Sequence, residues 1–372
     1  MNCIRPHLAF AILACIGLGI NVSAQDSGSL NEEAAEKLFD QPSYSPYAGR
    51  TFPTRVYWGD THLHTMLSMD AGAFGNRLGL EDAYRFARGE EVTSSTGQRV
   101  RLARPLDFMV IADHSDGMGF FDMIQSGDPV MMETKEGRRW NKMIGDGEGV
   151  KAALEIIDQF SQGTLPWKTN DPDLMRSVWR RTVDAAEAYN EPGRFTAFIG
   201  YEWTSLVRGN NLHRVVVYRD DGDKALRTLP YTNQDSSDPE EFWTALAAYE
   251  DKTGGQVLAI PHNGNLSNGM MYAETRNNGQ RIDAAYAMLR NRWEPLAEAT
   301  QIKGDGETHP YLSPDDEFAN FDTWDAGNLD LSEAKRPEML QYEYMRSALK
   351  LGLKLEKEFG TNPFQYGMIG ST

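Results

Sequence analysis

Val56-Tyr57-Trp58 followed by Gly59-Asp60-Thr61-His62-Leu63-His64-Thr65 is the stretch from which the chain is read. A short apolar run gives out into two histidines one residue apart. Side chains two apart on a strand project to the same side. A His-x-His at a strand end therefore aims two imidazole nitrogens at one point, and imidazole is a common transition-metal ligand. Such a pair also occurs without a metal, so the rest of the chain has to be weighed with it.

The same plan recurs downstream. Apolar runs lie at Phe108 to Ala112, Phe195 to Tyr201, Val215 to Tyr218 and Val257 to Ile260, with weaker ones near Ala297 to Ile302 and Tyr366 to Ile369. Runs of this length without polar alternation suit strands buried on both faces, as in a parallel sheet or barrel. Helical segments separate them: Glu81 to Arg88 before Gly89, Leu174 to Tyr189 before Pro192-Gly193, Glu240 to Tyr249, and Ala284 to Trp293. A last helix is predicted from about Pro337 to Phe359, with Tyr342, Met345, Leu349 and Leu353 as its apolar stripe. Strand then helix, repeated, predicts an α/β barrel or a doubly wound sheet. The gap between Ser115 and Arg194 predicts a helical insertion at about 116–193, in which Met118, Met123, Met131 and Met132 either line a pocket or fill gaps.

Composition narrows the classes. The 372 residues carry 54 acidic and 37 basic side chains, a formal charge of −17. With no sustained basic run, nucleic acid is excluded as a bulk partner. Arg5, the uncharged stretch Leu8 to Ile20 and then Val22-Ser23-Ala24 predict a signal peptide over residues 1–24, cut after Ala24. The apolar stretch is too short to span a bilayer, which predicts a secreted or periplasmic protein without a stable membrane anchor. Cleavage removes Cys3 and Cys15, so thiolate nucleophiles and thiolate zinc sites drop out. It leaves 36 basic against 54 acidic groups, or −18. Residues 25–50 read as a loosely ordered lead-in, and 51–372 as the working domain.

Six histidines remain, nearly all at a predicted strand boundary. His114 follows the Phe108 run in Asp113-His114-Ser115, His213 opens the Val215 run, His262 closes the Val257 run, and His309 follows Ile302 by a few residues. In a parallel α/β fold the C-terminal strand ends share one face, where sites collect. Each histidine alone has a bland explanation as a satisfied core or loop residue. Together they point to a metal cluster. Glu202, ending the Phe195 run, suits a carboxylate bridging two cations, and Asp70 lies close enough in sequence to His64 to join. Asp60 and Asp113 are expected to orient histidines from behind. Glu307 and His309 are further candidates, and Arg208 and Arg214 are expected either to grip an anionic substrate or to form surface ion pairs.

The order His62-x-His64, Asp70, Asp113-His114, Gly200-Tyr201-Glu202, His213 and His262 resembles the successive metal motifs of the PHP superfamily, named for polymerase and histidinol phosphatase. The flanking text, Tyr57-Trp58-Gly59-Asp60-Thr61-His62 and Gln301-Ile302-Lys303-Gly304, is most similar to a bacterial group of secreted-type proteins filed within it as a domain of unknown function. The resemblance covers about Arg55 to the end. It implies a distorted seven-stranded β/α barrel with two to three divalent ions, commonly Zn, Mn or Fe. His62 and His64 would hold the first metal, with Glu202 bridging to a second held by His213 and His262. Asp70 and His114 would hold a third. The superfamily pattern closes with Asp-x-His, whereas this sequence reaches Gly370-Ser371-Thr372 where that motif is expected, so the resemblance implies a barrel whose last part is incomplete.

No serine elbow, P-loop or dinucleotide fingerprint is present. The expected chemistry is therefore metal-dependent hydrolysis of a phosphoric monoester or diester, a small anionic substrate, with Glu202, His62 and His64 central and a metal-activated hydroxide as nucleophile. Competing readings are a sulfate-ester hydrolase, an amidohydrolase-type C–N or C–O hydrolase, and a catalytically weak metal-binding fragment.

Overall fold

Where Val, Ile, Phe and Ala run together the chain forms a short strand, and a polar residue is left at its end. The computed structural model describes residues 55–162, 164–167 and 171–370. The predicted signal segment 1–24 and lead-in 25–50 lie outside them. The chain divides into two units, Met1–Tyr57 and Trp58–Thr372, and every element below belongs to the second. The strands that position the site are β1 (Gly59–Leu63), β2 (Phe108–Ile111), β3 (Thr196–Phe198), β4 (Gly200–Trp203), β5 (Arg214–Tyr218), β6 (Val257–Pro261), β7 (Leu296–Glu298) and β8 (Gly367–Ile369), with shorter two-residue hairpin strands between them. No described helix is long and apolar enough to cross a membrane.

Their pairing is mixed. β1, β2 and β3 form a parallel sheet in that order. β5 lies between β4 and β6 and runs antiparallel to both, while β7 pairs with β8 in parallel. β3 and β4 are separated by Ile199 alone, so one chain path serves two sheets, with Gly200 at the crossing. A Cβ on Gly200 would sit 2.4 Å from Val110 Cγ1 and 2.7 Å from the Val216 carbonyl oxygen. A side chain there would force the two sheets apart.

The fold is mixed α/β, as expected, but among the described residues the strands do not close into a seven-stranded barrel. β6 and β7 belong to separate sheets, and β8 pairs with β7 alone. The sheets nevertheless share an interior. Val110, Ala112, Val215 and Ile260 from β2, β5, β6 and their ends form one buried cluster, against which Phe198, Leu296 and Ile369 pack.

The predicted insertion is helical, with helices Phe120–Ser126, Pro129–Met132, Lys135–Gly145, Gly149–Ser161 and Pro172–Tyr189. Phe120, Phe121, Ile124, Trp140 and Ile156 give it a core of its own. Met131 is buried in that core, Met123 and Met132 pack on it, and Met118 belongs to the main core. These methionines fill gaps.

Two elements depart from expectation in ways that bear on packing. Val56-Tyr57-Trp58 is exposed and precedes the strand. The Trp58 N–H is taken by the Asp107 carboxylate at 2.8 Å, so the ladder to Phe108 begins at Gly59. The last helix is broken into a 3-10 turn, Pro337–Tyr342, and a helix, Met345–Phe359. Tyr344 between them is extended, and Glu343 is drawn inward by Lys335 Nζ at 2.6 Å. The break rotates the helix. Met345, Ala348, Gly352 and Leu355 face the core, while Leu353 is 61% exposed.

Candidate metal centre

Strand ends deliver the site. In β1 the pairing slips between Asp60 and Leu63, three residues against two on β2. A bulge of this kind re-aims side chains, here at His62. β2 carries the chain to Asp113 and His114, and β4 presents Glu202. A single bridge between His114 and Glu202 extends the β2–β4 contact to the rim. β6 ends at Pro261, one residue before His262. Because β5 runs antiparallel to its neighbours, its start lies at the rim where β4 and β6 end, which is why His213 belongs with residues that close their strands.

Five imidazoles converge on one carboxylate. Glu202 Oε1 lies 2.6 Å from His213 Nδ1 and 2.8 Å from His262 Nε2. Its Oε2 lies 3.0 Å from His64 Nε2, 3.2 Å from His62 Nε2 and 3.3 Å from His114 Nδ1. Asp70 stands at the outer side, 3.3 Å from His114 Nε2 and 3.4 Å from His64 Nδ1. Ligand-capable atoms fall into three overlapping groups: His62, Glu202 and His262; His64, Asp70 and His114; and His114, Glu202 and His213. These groups cut across the partition that the resemblance implies, sharing with it the pairing of Asp70 with His114. His64 joins that pair, His262 goes with His62, and His213 with His114. Side-chain exposure rises from 2% at Glu202 to 15% at His64 and 24% at Asp70, so the cluster opens on that side.

Burial and the neighbouring charges pull the clustered groups in opposite directions. Burial alone would raise the Glu202 carboxyl, but His114, His262 and His213 hold it well below the usual range. Burial disfavours charge on His62, yet Glu298 and Glu202 push it up to about 9. Burial pulls His213 down to about 3, and it also lowers His262, with His62 adding to the effect. His213 Nε2 is buried without a hydrogen-bond partner among the described residues. His64 Nε2, though 3.0 Å from Glu202, lacks hydrogen-bond alignment. Two buried imidazole nitrogens without hydrogen-bond partners, set beside a buried carboxylate, fit a divalent ion.

The remaining predicted residues hold other positions. Asp60 Oδ1 accepts the His62 backbone N–H at 2.8 Å. Asp113 takes the Thr65 N–H at 2.6 Å and the Thr65 hydroxyl at 2.7 Å. Both therefore fix the backbone around His62 and His64. Arg214 is buried and donates Nε–H to Glu294 at 2.9 Å, its guanidinium over Trp203, so it serves the core and not the substrate. Arg208 is exposed at a hairpin tip with φ 53°. Glu307 binds Arg346 and His309 binds Asp325, and neither belongs to the cluster.

Ring orientation comes from residues that the sequence did not single out. Glu298, closing β7, accepts His62 Nδ1–H at 2.8 Å. Ser68 Oγ lies 2.7 Å from His64 Nδ1, and Thr204 Oγ1 lies 2.8 Å from His114 Nδ1. Glu298 bore the same signal as Glu202, an acid ending an apolar run.

Residues 51–372 match the family described as "Protein of unknown function (DUF3604)", and the chain belongs to that family. No curated protein and no solved structure matches it.

Proposed function

We propose that this protein is a metal-dependent hydrolase of phosphoric esters, built on a PHP-like arrangement and exported through its N-terminal segment. The observation that carries the reading is the convergence of five imidazoles on buried Glu202, in three groups that share ligands. Shared ligands suit two to three ions a few ångströms apart, and such clusters match a tetrahedral anion with several oxygens. Bound cations would supply Lewis acidity, lowering the pKa of water from 15.7 toward about 7 and neutralising ester oxygens.

The chain's own residues supply the frame. Glu202 offers one oxygen to His213 and His262 and the other to His62, His64 and His114, so both of its oxygens face imidazoles and it would be the shared ligand of the cluster. Glu298 keeps the His62 proton on Nδ1, leaving Nε2 facing Glu202. The exposed side at His64 and Asp70 admits an ester from solvent. The interior shared by β2, β5 and β6 with Phe198, Leu296 and Ile369 supports reading the three sheets as a distorted barrel below the centre.

Metal analysis of the purified protein is expected to find about two to three divalent ions per chain. Aryl phosphate and bis-aryl phosphate should be cleaved with added Mn or Zn, and His62→Ala with Glu202→Ala should abolish both metal and turnover. Preferential cleavage of aryl sulfate or of a lactone would move the reading to a sulfatase or an amidohydrolase. Bound metal without turnover on any of them would leave a binding module. Folded, metal-free protein would remove the reading.

A further inference from the structure

The loops flanking His213 and His262 are rich in buried asparagine. Asn210-Asn211 precedes His213 by two residues, and Asn263-Gly264-Asn265-Leu266-Ser267-Asn268 follows His262 directly. None of the five amides is more than 7% exposed. Each leaves at least one amide atom without a hydrogen-bond partner among the described residues: Oδ1 of Asn210, Nδ2 of Asn211, both atoms of Asn263, and Oδ1 of Asn265 and Asn268. Four of them are held by one edge and offer the other. Asn211 Oδ1 accepts His213 N–H at 3.0 Å, and Asn210, Asn265 and Asn268 donate to the carbonyls of Val207, Lys303 and Glu333. Asn263 has neither edge engaged and adopts φ 55°, ψ 40°, a conformation rare for a residue with a side chain.

An unpaired buried polar atom is costly, so several close together call for a partner. The Asn210–Asn211 strand packs on the turn Gly264–Leu266, which brings the two loops together next to His213 and His262 in the chain. The turn is held from behind. A Cβ on Gly264 would lie 2.4 Å from the Glu343 carbonyl oxygen, and Lys335 Nζ donates to the Asn265 carbonyl at 2.7 Å.

We propose that this asparagine patch binds the uncharged, hydroxyl-rich part of the substrate, which makes the substrate class a phosphoric ester of a sugar or other polyol. The proposal rests on the hydrolase reading above. A carboxamide presents a donor and an acceptor side by side without charge, matching neighbouring hydroxyls that each donate and accept. The 263–268 stretch contributes no aromatic ring, so it offers hydrogen bonds without a stacking face for a flat base. Fixing the amides in advance lowers the entropy lost on binding.

The test uses two phosphonates that cannot be hydrolysed, hexylphosphonate and its 2,3,4,5,6-pentahydroxy counterpart, titrated calorimetrically into the metal-loaded full chain. Two or more added hydrogen bonds should make the pentahydroxy probe bind about tenfold tighter or better. Asn263→Gly, which keeps the left-handed backbone while deleting the amide, should erase most of that preference and leave hexylphosphonate affinity and metal content unchanged. Equal affinities in the parent protein, or a preference that survives Asn263→Gly, would overturn the proposal and leave the esterase reading standing, the patch then holding water alone. Failure of both phosphonates to bind metal-loaded protein would sink the esterase reading and this proposal together.

Discussion

Glu298 acts on the candidate centre through the ring that it orients. Its contact with His62 Nδ1 sets which nitrogen faces Glu202. Glu298→Gln keeps the shape but removes the charge that orients the ring. Such partners are typically worth 10–100-fold in metal affinity, and a loss of about that size is expected in competition with a fluorescent chelator, with folding retained. Sequence reading found the histidines because His-x-His and Asp-His repeat at strand boundaries, where spacing and chemistry coincide. It passed over Glu298, whose apolar run is only Leu296-Ala297, and it could not find Ser68 or Thr204, since one hydroxyl carries no distinguishing pattern. It also assigned Arg214 two roles, substrate contact or surface ion pair, when Glu294 and Trp203 hold it in the core.

Among elements, the bent path from β3 into β4 is the most constrained. Gly200→Ala puts a methyl against Val110 and the Val216 carbonyl. Overpacking of this kind costs about 1–3 kcal/mol, and urea denaturation should register at least that, with weaker metal retention because Glu202 lies two residues on. Most strands and helices were legible from apolar runs and their breakers. Ala284–Trp293 was read with the bounds it has in the fold. Strand direction was not legible, because local periodicity is the same whichever way a strand runs, and β5 runs against its neighbours. The break at Glu343 was hidden for a related reason: a buried carboxylate held by Lys335 and by the sequence-distant Gly269 N–H overrides an uninterrupted helical pattern.

Across the whole molecule, two buried charge clusters hold regions together. Glu294 lies between Arg214 and Arg290, all three sealed from solvent. Glu294→Gln strands two guanidinium groups and should cost about 3–5 kcal/mol, measured by denaturant unfolding, without changing the ligand set of the metal centre. At Glu343, burial pushes the carboxyl up to about 7 despite Lys335 and the Gly269 N–H. The folded value lies above the ordinary 4.5, so the stability this group contributes is full below about pH 4.5 and is lost as pH rises through about 7. Glu343→Gln does not titrate there. The melting temperature of the parent protein relative to that variant should therefore fall between pH 5 and pH 8, by the equivalent of up to ~3 kcal/mol.

The gradient in exposure from Glu202 outward to Asp70 also bears on how the centre would empty. A chelator reaches His64 and Asp70 before the enclosed pair of His213 and His262. Demetallation should proceed in stages, a fast-exchanging outer ion leaving first and a slow inner population following. A single-exponential release of all ions would mean that the protein opens as a unit before it lets any of them go.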